Sequence, residues 1–127
     1  ILFPVLFLTS LLLLTSCSAD DDINSITLRN EAVGKVLFNF RGVITEVNPG
    51  ESKRIKNISR GEYTYSTTYE IPSFAVSGKA EGAVSGDLKF QAGTRYMLLY
   101  SSYFDEGDYV LSATLSTSDR NDKDLLP

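Results

Sequence analysis

The strongest constraint on the fold is an alternation of side chains with a period of two residues. It is clearest between residues 62 and 71, where two chemically different sets of side chains alternate. One set is Tyr63, Tyr65, Thr67, Tyr69 and Ile71, and the other is Glu62, Thr64, Ser66, Thr68 and Glu70. Because successive side chains of a strand point to opposite faces, this pattern predicts an antiparallel strand with one buried and one wet face. No stretch has a clean 3.6-residue helical period.

Other segments follow the same alternation, so the chain is predicted to be all-β. We expect strands near residues 24–30, 35–41, 43–47, 53–58, 62–71, 94–104 and 108–117. The segment Asn48-Pro49-Gly50-Glu51 predicts a type II turn, because proline presets φ and glycine supplies a positive φ. Residues 94–104 are apolar on both faces, which is typical of a central strand. Seven or eight short strands predict a single antiparallel β-sandwich.

A run of small residues between 75 and 90 differs from the other segments. Glycine and alanine occupy most of its alternate positions. Glycine weakens a strand and often marks a bulge or the close approach of another backbone. We therefore expect an edge strand or a long, mobile hairpin arm, in which residues 79–88 offer an edge for pairing with a partner strand.

The stretch from Val47 to Tyr65 contains a Pro-Gly turn, Ile55, Ile58 and the pair Arg60-Gly61. In this order it resembles the middle of the small immunoglobulin-like or transthyretin-like domains of bacterial surface proteins. The resemblance implies an immunoglobulin-like or transthyretin-like sandwich. The Cys…Trp…Cys signature of antibody domains is missing, since the chain has one cysteine and no tryptophan.

The first sixteen residues form an apolar leader. Eleven of them are apolar and none is charged. A secretory h-region needs about 7–15 apolar residues, whereas a transmembrane helix needs about 20, so residues 1–16 are predicted to be a signal peptide. A membrane-anchor helix is the alternative. Because the segment begins at Ile1 with neither methionine nor a basic region, we expect the start of the leader to be truncated.

The residues Leu14-Thr15-Ser16-Cys17 end this leader and include the chain's only cysteine. They resemble the lipobox of bacterial lipoproteins, in which an aliphatic residue and two small residues precede an obligatory cysteine. The small residues let the extended backbone enter the signal peptidase, and the thiol accepts the diacylglyceryl group. A buried core cysteine is the alternative, but Ser16, Ser18 and the following acids argue against an apolar surrounding.

The resemblance implies a mature chain that starts at Cys17 with two or three acyl chains, which together form a firm membrane anchor. Its partners are then the membrane and the lipoprotein-processing and export machinery. Directly after the cysteine comes the acidic stretch Ser18, Ala19, Asp20, Asp21 and Asp22. This stretch resembles the surface-export signal of Bacteroidetes cell-surface lipoproteins and implies an outer-membrane protein that faces the cell surface. A plain solvated linker or another sorting signal are the alternatives.

Four segments follow from these patterns. They are the signal peptide (1–16), a lipidated flexible acidic tether (17–23), the β-sandwich domain (24–118) and a polar tail (119–127). Residues 23–118 contain ten acidic and ten basic side chains, so the net charge of −4 lies in the tether and the tail. We therefore expect no single-sign field on the folded body and no binding of nucleic acid.

Candidate chemistry is sparse. The chain has no histidine, which excludes catalysis by Ser-His-Asp or Cys-His groups and zinc sites built from histidine. The segment Asp105-Glu106-Gly107-Asp108 has two interpretations, an acidic hairpin loop or a set of oxygen ligands for Ca²⁺. The seven tyrosines could stack on sugars, but Tyr63, Tyr65 and Tyr69 are predicted to face the core. We predict no catalytic residue, no cofactor and no metal site.

The expected function is that of a lipid-anchored cell-envelope protein, acting as a non-catalytic binding or structural module. Two alternatives remain open from the sequence. The first is a carbohydrate- or protein-binding accessory subunit of a larger outer-membrane assembly, with a surface protein or glycan as its ligand. The second is an oligomerisation or adhesion component that works by strand addition.

Overall fold

The computed structural model describes residues 24–118, which form nine β-strands and no helix. The strands are β1 (Ser25–Asn30), β2 (Val36–Phe40), β3 (Val43–Val47), β4 (Ser52–Ile55), β5 (Gly61–Tyr69), β6 (Ser77–Gly82), β7 (Gly86–Phe90), β8 (Arg95–Asp105) and β9 (Asp108–Ser118). Over this part of the chain there is accordingly no helix that could span a membrane.

Two sheets make up the fold. One has five strands in the order β4-β1-β8-β9-β6, and the other has four in the order β3-β2-β5-β7. The predicted all-β sandwich is confirmed. There are nine strands rather than seven or eight, because the small-residue run at 75–90 contains both β6 and β7 and changes sheet between them.

Five of the seven strand pairings are antiparallel, as predicted, and two are parallel. The parallel pairs are β1 with β8 and β6 with β9. An immunoglobulin constant domain places its first two strands side by side in one sheet. Here β1 and β2 lie in different sheets, so the strand order differs from that of an immunoglobulin constant domain.

The alternation that predicted β5 matches its burial. Tyr65 is buried, and Tyr63 and Tyr69 pack against the core, so the expected orientation of these three rings is confirmed. Tyr65 contacts Phe38 with ring centroids 5.5 Å apart. Ile71 departs from the pattern, since β5 ends at Tyr69 and the Ile71 side chain is exposed.

The longest strands occupy the middle of the five-stranded sheet. β8 lies between β1 and β9, which confirms residues 94–104 as a central strand. Leu98 and Tyr100 face the core, whereas Met97 on the opposite face is partly exposed. The Tyr100 hydroxyl reaches across to the other sheet, where it lies 2.7 Å from the Thr67 hydroxyl. A polar contact therefore joins the two sheets within the apolar core.

β6 is the edge strand that the small residues predicted. It pairs only with β9 and ends at Gly82, whose φ is +80°. A Cβ at Gly82 would overlap the carbonyl oxygen of Ala113 in β9. Glycine is therefore required here for two reasons, the left-handed backbone and the close approach of the neighbouring strand.

The sandwich has two ends that differ in what they carry. Residues 24 and 118, the first and last of the described chain, lie at the same end, which we call the terminal end. It consists of residues 24–25, 41–42, 56–62, 89–95 and 117–118. The opposite end consists of residues 30–35, 47–51, 70–77 and 104–108; we call it the far end. β8 spans the distance between them with eleven residues, or about 35 Å.

A buried asparagine closes each end. At the far end Asn30 donates to the carbonyl oxygens of Gly34 and Val47, and its own side-chain oxygen accepts the N–H of Ala32. At the terminal end Asn24 donates to the carbonyl of Ile58 and accepts the N–H of Thr94. Because these bonds use the backbone groups of loops, each asparagine fixes the loops of its end.

Candidate functional site

The predicted lipidation and export residues lie outside the described part of the chain. They are Leu14, Thr15, Ser16 and Cys17 of the lipobox and Ser18, Ala19, Asp20, Asp21 and Asp22 of the tether. The polar tail, residues 119–127, also lies outside it. The candidate sites described below therefore come from the two ends and the faces of the sandwich.

The ten acidic and ten basic side chains of the body are not evenly distributed. The far end carries six acids and one base, which are Glu31, Glu51, Glu70, Asp105, Glu106, Asp108 and Lys35. The terminal end carries five bases and one acid, which are Arg41, Lys56, Arg60, Lys89, Arg95 and Glu62. The body is neutral as a whole, but a sum of charges does not report their placement, and here acidic and basic side chains gather at opposite ends.

The ion pairs, like the charged side chains, are unevenly distributed between the two ends. Lys35 lies between Glu46 and Glu70, at 3.7 and 3.8 Å, and Lys79 lies 3.7 Å from Asp105. The other pairs join Arg29 to Glu31 and Lys53 to Glu51. Among the described residues, the five bases of the terminal end take part in no ion pair. The acids of the far end are thus partly neutralised, while the cations of the terminal end are not.

Exposed apolar side chains gather at the far end. Five of them form what we call the far-end patch, namely Val33, Ile71, Phe74, Val76 and Phe104. Phe74 and Val76 are 74% and 84% exposed, and Phe104 is 43% exposed. The Phe74 ring lies 5.3 Å from that of Phe104, and the Val76 N–H donates to the carbonyl of Gly107. Clustered exposed apolar groups with a polar rim are typical of interaction surfaces.

Aromatic contacts connect the far-end patch to the core. Phe104 contacts Tyr109 with ring centroids 5.6 Å apart, and Tyr109 contacts Tyr69 at 6.0 Å. The Tyr109 ring is fully buried, and its hydroxyl has no hydrogen-bond partner among residues 24–118. A Cβ at Gly34 would lie 3.2 Å from this hydroxyl and 2.8 Å from the Glu70 carbonyl oxygen. The patch therefore rests on tightly packed rings.

A groove of about 410 Å³ adjoins the patch. Val33, Ile71 and Pro72 form its apolar side, and Lys35, Asn48 and Glu70 form its polar side. Lys35 forms ion pairs with Glu46 and with Glu70, which also lines the groove. The far end thus combines an apolar surface with an adjoining groove.

The segment Asp105-Glu106-Gly107-Asp108 is a hairpin turn between β8 and β9, as one of its two interpretations expected. Glu106 and Gly107 have φ values of +52° and +89°, the left-handed pair of a type I′ turn. Asp108 accepts a hydrogen bond from the Ser77 hydroxyl at 2.6 Å. Within residues 24–118, no three histidine, cysteine, aspartate or glutamate side chains are grouped to hold a metal ion.

Six of the seven tyrosines are buried or half-buried. The exception is Tyr103, 48% exposed, whose hydroxyl donates to Glu81 at 3.0 Å. This hydrogen bond is the largest of the causes that raise the pKa of Tyr103. Partial burial and the negative charges of Glu81 and Asp105 raise it further. A lone exposed tyrosine is no coplanar stacking platform, so the structure offers little support for a tyrosine-based sugar site.

A second cleft, of about 430 Å³, lies near the terminal end on the four-stranded sheet. Its polar lining consists of Asn39, Arg41, Glu62, Thr64 and Ser66. Arg41 has a φ of +56° in the β2–β3 turn, and its guanidinium lies 4.9 Å from the centre of the Phe40 ring. This cation–π contact offsets part of the cost of a left-handed non-glycine residue.

The alternation of the strands does not predict the far-end patch. Phe74 lies just before the small-residue run and Val76 lies within it, where glycine and alanine predominate. The sequence does indicate an apolar segment at this point, because residues 71–76 carry apolar side chains around Pro72, where the alternation stops. No protein-family model matches the chain, and no curated protein matches it either.

Proposed function

We propose that this chain is a lipid-anchored protein of the cell envelope whose β-sandwich is a non-catalytic binding module. In this proposal the far-end patch is the surface that a partner protein contacts. The observation that carries it is the placement of the patch at the end of the sandwich opposite Asn24, the first described residue. A tether that joins the sandwich at Asn24 leaves the patch on the side that faces away from the attachment point.

The lipobox supports the anchor. Six residues separate Cys17 from Asn24, and an extended chain of this length spans about 20–25 Å. Acyl chains on Cys17 would hold the terminal end within that distance of the membrane, and the far end would lie about 35 Å further out. The acidic residues of the tether support the surface location through their resemblance to an export signal.

The surroundings of the patch indicate the chemistry of the partner. Phe74, Val76 and Phe104 offer apolar contacts, and the adjacent Glu106 and Asp108 add negative charge. A surface with apolar side chains flanked by lysine or arginine would complement both features. Strand addition at β6 has less support, because the charged Lys79 and Glu81 lie on this short edge strand, and charged residues discourage edge pairing.

Replacing Cys17 with alanine tests the anchor. Without the thiol no diacylglyceryl group can be attached, so we expect the protein to move from the membrane fraction to the soluble fraction. The measurement is immunoblotting of fractionated cells. Ser16→Ala is the matched control, because it keeps a small residue before the cysteine and should leave the protein in the membrane. Retention of the Cys17→Ala variant in the membrane would overturn the lipoprotein proposal.

The export part of the proposal is tested in the same cells. A variant with Asp20, Asp21 and Asp22 replaced by alanine should stay in the membrane fraction but resist protease added to intact cells. If protease removes this variant as fast as the wild-type protein, the acidic stretch is not the export signal.

Site-specific photo-crosslinking in intact cells tests the far-end patch. A photoreactive residue at Phe74 should form an adduct with a partner protein, because the side chain is exposed in the proposed contact. The same residue at Asn39, which is exposed on the four-stranded sheet, should form none. We expect an added Phe104→Ser substitution to reduce the adduct at position 74 several-fold. Equal adducts at positions 74 and 39 would contradict the assignment.

A further inference from the structure

The cations of the terminal end form a surface that the proposed binding module does not use. They are Arg41, Lys56, Arg60, Lys89 and Arg95, all of them exposed. Two acids lie near these cations, since Glu62 is opposite Lys89 in the β5–β7 ladder and Asp87 is opposite Thr64, two residues before Lys89. Among residues 24–118 no carboxylate lies within ion-pair distance of the five. This end therefore carries a net positive charge beside the start of the described chain.

The fold brings these cations together from distant parts of the sequence. Arg41 lies in the β2–β3 turn, Lys56 and Arg60 lie between β4 and β5, and Arg95 begins β8. Arg95 is paired with Ser25, the first residue of β1, so the cations lie close to the point where the tether joins the sandwich.

We propose that the terminal end lies against the anionic headgroup surface of the membrane that holds the lipid anchor, an inference that rests on the proposed function. The number of residues in the tether allows this contact, because six residues span at most about 20–25 Å and a shorter separation is also possible. Lysine and arginine close to an anionic surface each strengthen binding by about fivefold. The attraction acts within about 8 Å at physiological ionic strength, so the tether must bring the cations near.

The contact would also set the orientation of the module. A sandwich held only through its lipid anchor would tumble, and the far-end patch would face the membrane part of the time. With the terminal end on the headgroups, the long axis of β8 stands away from the membrane and the acidic far end is repelled from it. The separation of charge between the two ends thus favours a single outward orientation of the patch.

Lysine labelling of the lipidated protein on vesicles tests this inference. The protein is reconstituted on vesicles of phosphatidylcholine alone or of phosphatidylcholine with phosphatidylglycerol, and the lysines are acetylated under limiting conditions. We expect Lys56 and Lys89 to react about fivefold more slowly on the anionic vesicles. Lys53 and Lys79 belong to ion pairs away from the terminal end and serve as matched controls, which should react equally on both.

Charge variants make the test specific. Replacing Arg60 and Arg95 with glutamine should remove most of the protection of Lys56 and Lys89, as should 1 M salt. Free inorganic phosphate at the same ionic strength should have no additional effect, because the proposed partner is a headgroup surface. Equal labelling of Lys56 on both kinds of vesicle would overturn the inference.

The acidic tether is the competing partner for these cations. If Asp20, Asp21 and Asp22 neutralise them instead, Lys56 will be protected on both kinds of vesicle, and replacing the three aspartates with asparagine will expose it; this result also overturns the inference. Flotation of the vesicles separates the two proposals. Protein that does not float contradicts the lipid anchor, whereas protein that floats without protection of Lys56 contradicts only the headgroup contact.

Discussion

Replacing Asn30 with alanine should lower the free energy of unfolding by about 3–5 kcal/mol. The side chain is completely buried and satisfies three backbone groups, the carbonyl oxygens of Gly34 and Val47 and the N–H of Ala32. Each buried polar group that loses its partner costs about 1–3 kcal/mol, and the alanine cannot replace any of the bonds. The measurement is urea denaturation at neutral pH, followed by far-ultraviolet circular dichroism.

Asn39 provides the matched control for this substitution. It lies on β2 with its side chain exposed, so Asn39→Ala should change stability by no more than about 0.5 kcal/mol. A loss of less than about 1 kcal/mol for Asn30→Ala would show that the loops of the far end do not depend on the asparagine. The far-end patch would then be less firmly positioned than the structure indicates.

The sequence predicted those features of the fold that depend on local alternation. The alternation predicts β5 because one face carries tyrosines and the other carries hydrophilic side chains, and burial of the tyrosine face stabilises a strand at the surface of a core. β8 was recognised because it is apolar on both faces. Neither inference required knowledge of which strands are neighbours.

The parallel pairings could not be predicted in this way. The alternation of β1 is the same whether its neighbour runs parallel or antiparallel, and a pattern of one strand does not identify its partner. β1 pairs with β8 although about seventy residues separate them, since Ser25 lies opposite Arg95. The division of the 75–90 run between two sheets was missed for the same reason.

The separation of charge between the two ends cannot be predicted from the net charge of the body, which is zero. Strands that run alternately up and down place successive connections at opposite ends of a sandwich. The connections at 41–42 and 56–60 lie at the terminal end and carry arginine and lysine. The connection at 48–51 lies between them in the sequence but at the far end of the sandwich, and it carries glutamate. When the charges are summed separately for each end, they indicate a basic terminal end and an acidic far end.

Raising the pH above 10 should destabilise the fold through its buried tyrosines. Burial raises the pKa of Tyr100 well above its ordinary value near 10; the Thr67 hydrogen bond lowers it, and the nearby Tyr65 raises it slightly. Burial also raises the pKa of Tyr65. As the pH rises, these tyrosine hydroxyls therefore lose their protons in the unfolded state at a lower pH than in the folded state, which favours unfolding. Below pH 10 both states are protonated, so these hydroxyls cause no pH dependence there.

The expected size of this effect is about 1.4 kcal/mol per pH unit for Tyr100 while its folded hydroxyl stays protonated, or about 2–3 kcal/mol between pH 10 and 12. Urea midpoints measured from pH 7 to pH 12 check it. The Tyr100→Phe variant removes the ionisable group, so its stability should fall much less steeply above pH 10. Tyr103→Phe, at an exposed ring, should keep most of the wild-type slope. If Tyr100→Phe follows the wild-type curve throughout, the alkaline loss comes from other groups and the buried hydroxyl between the sheets is not its cause.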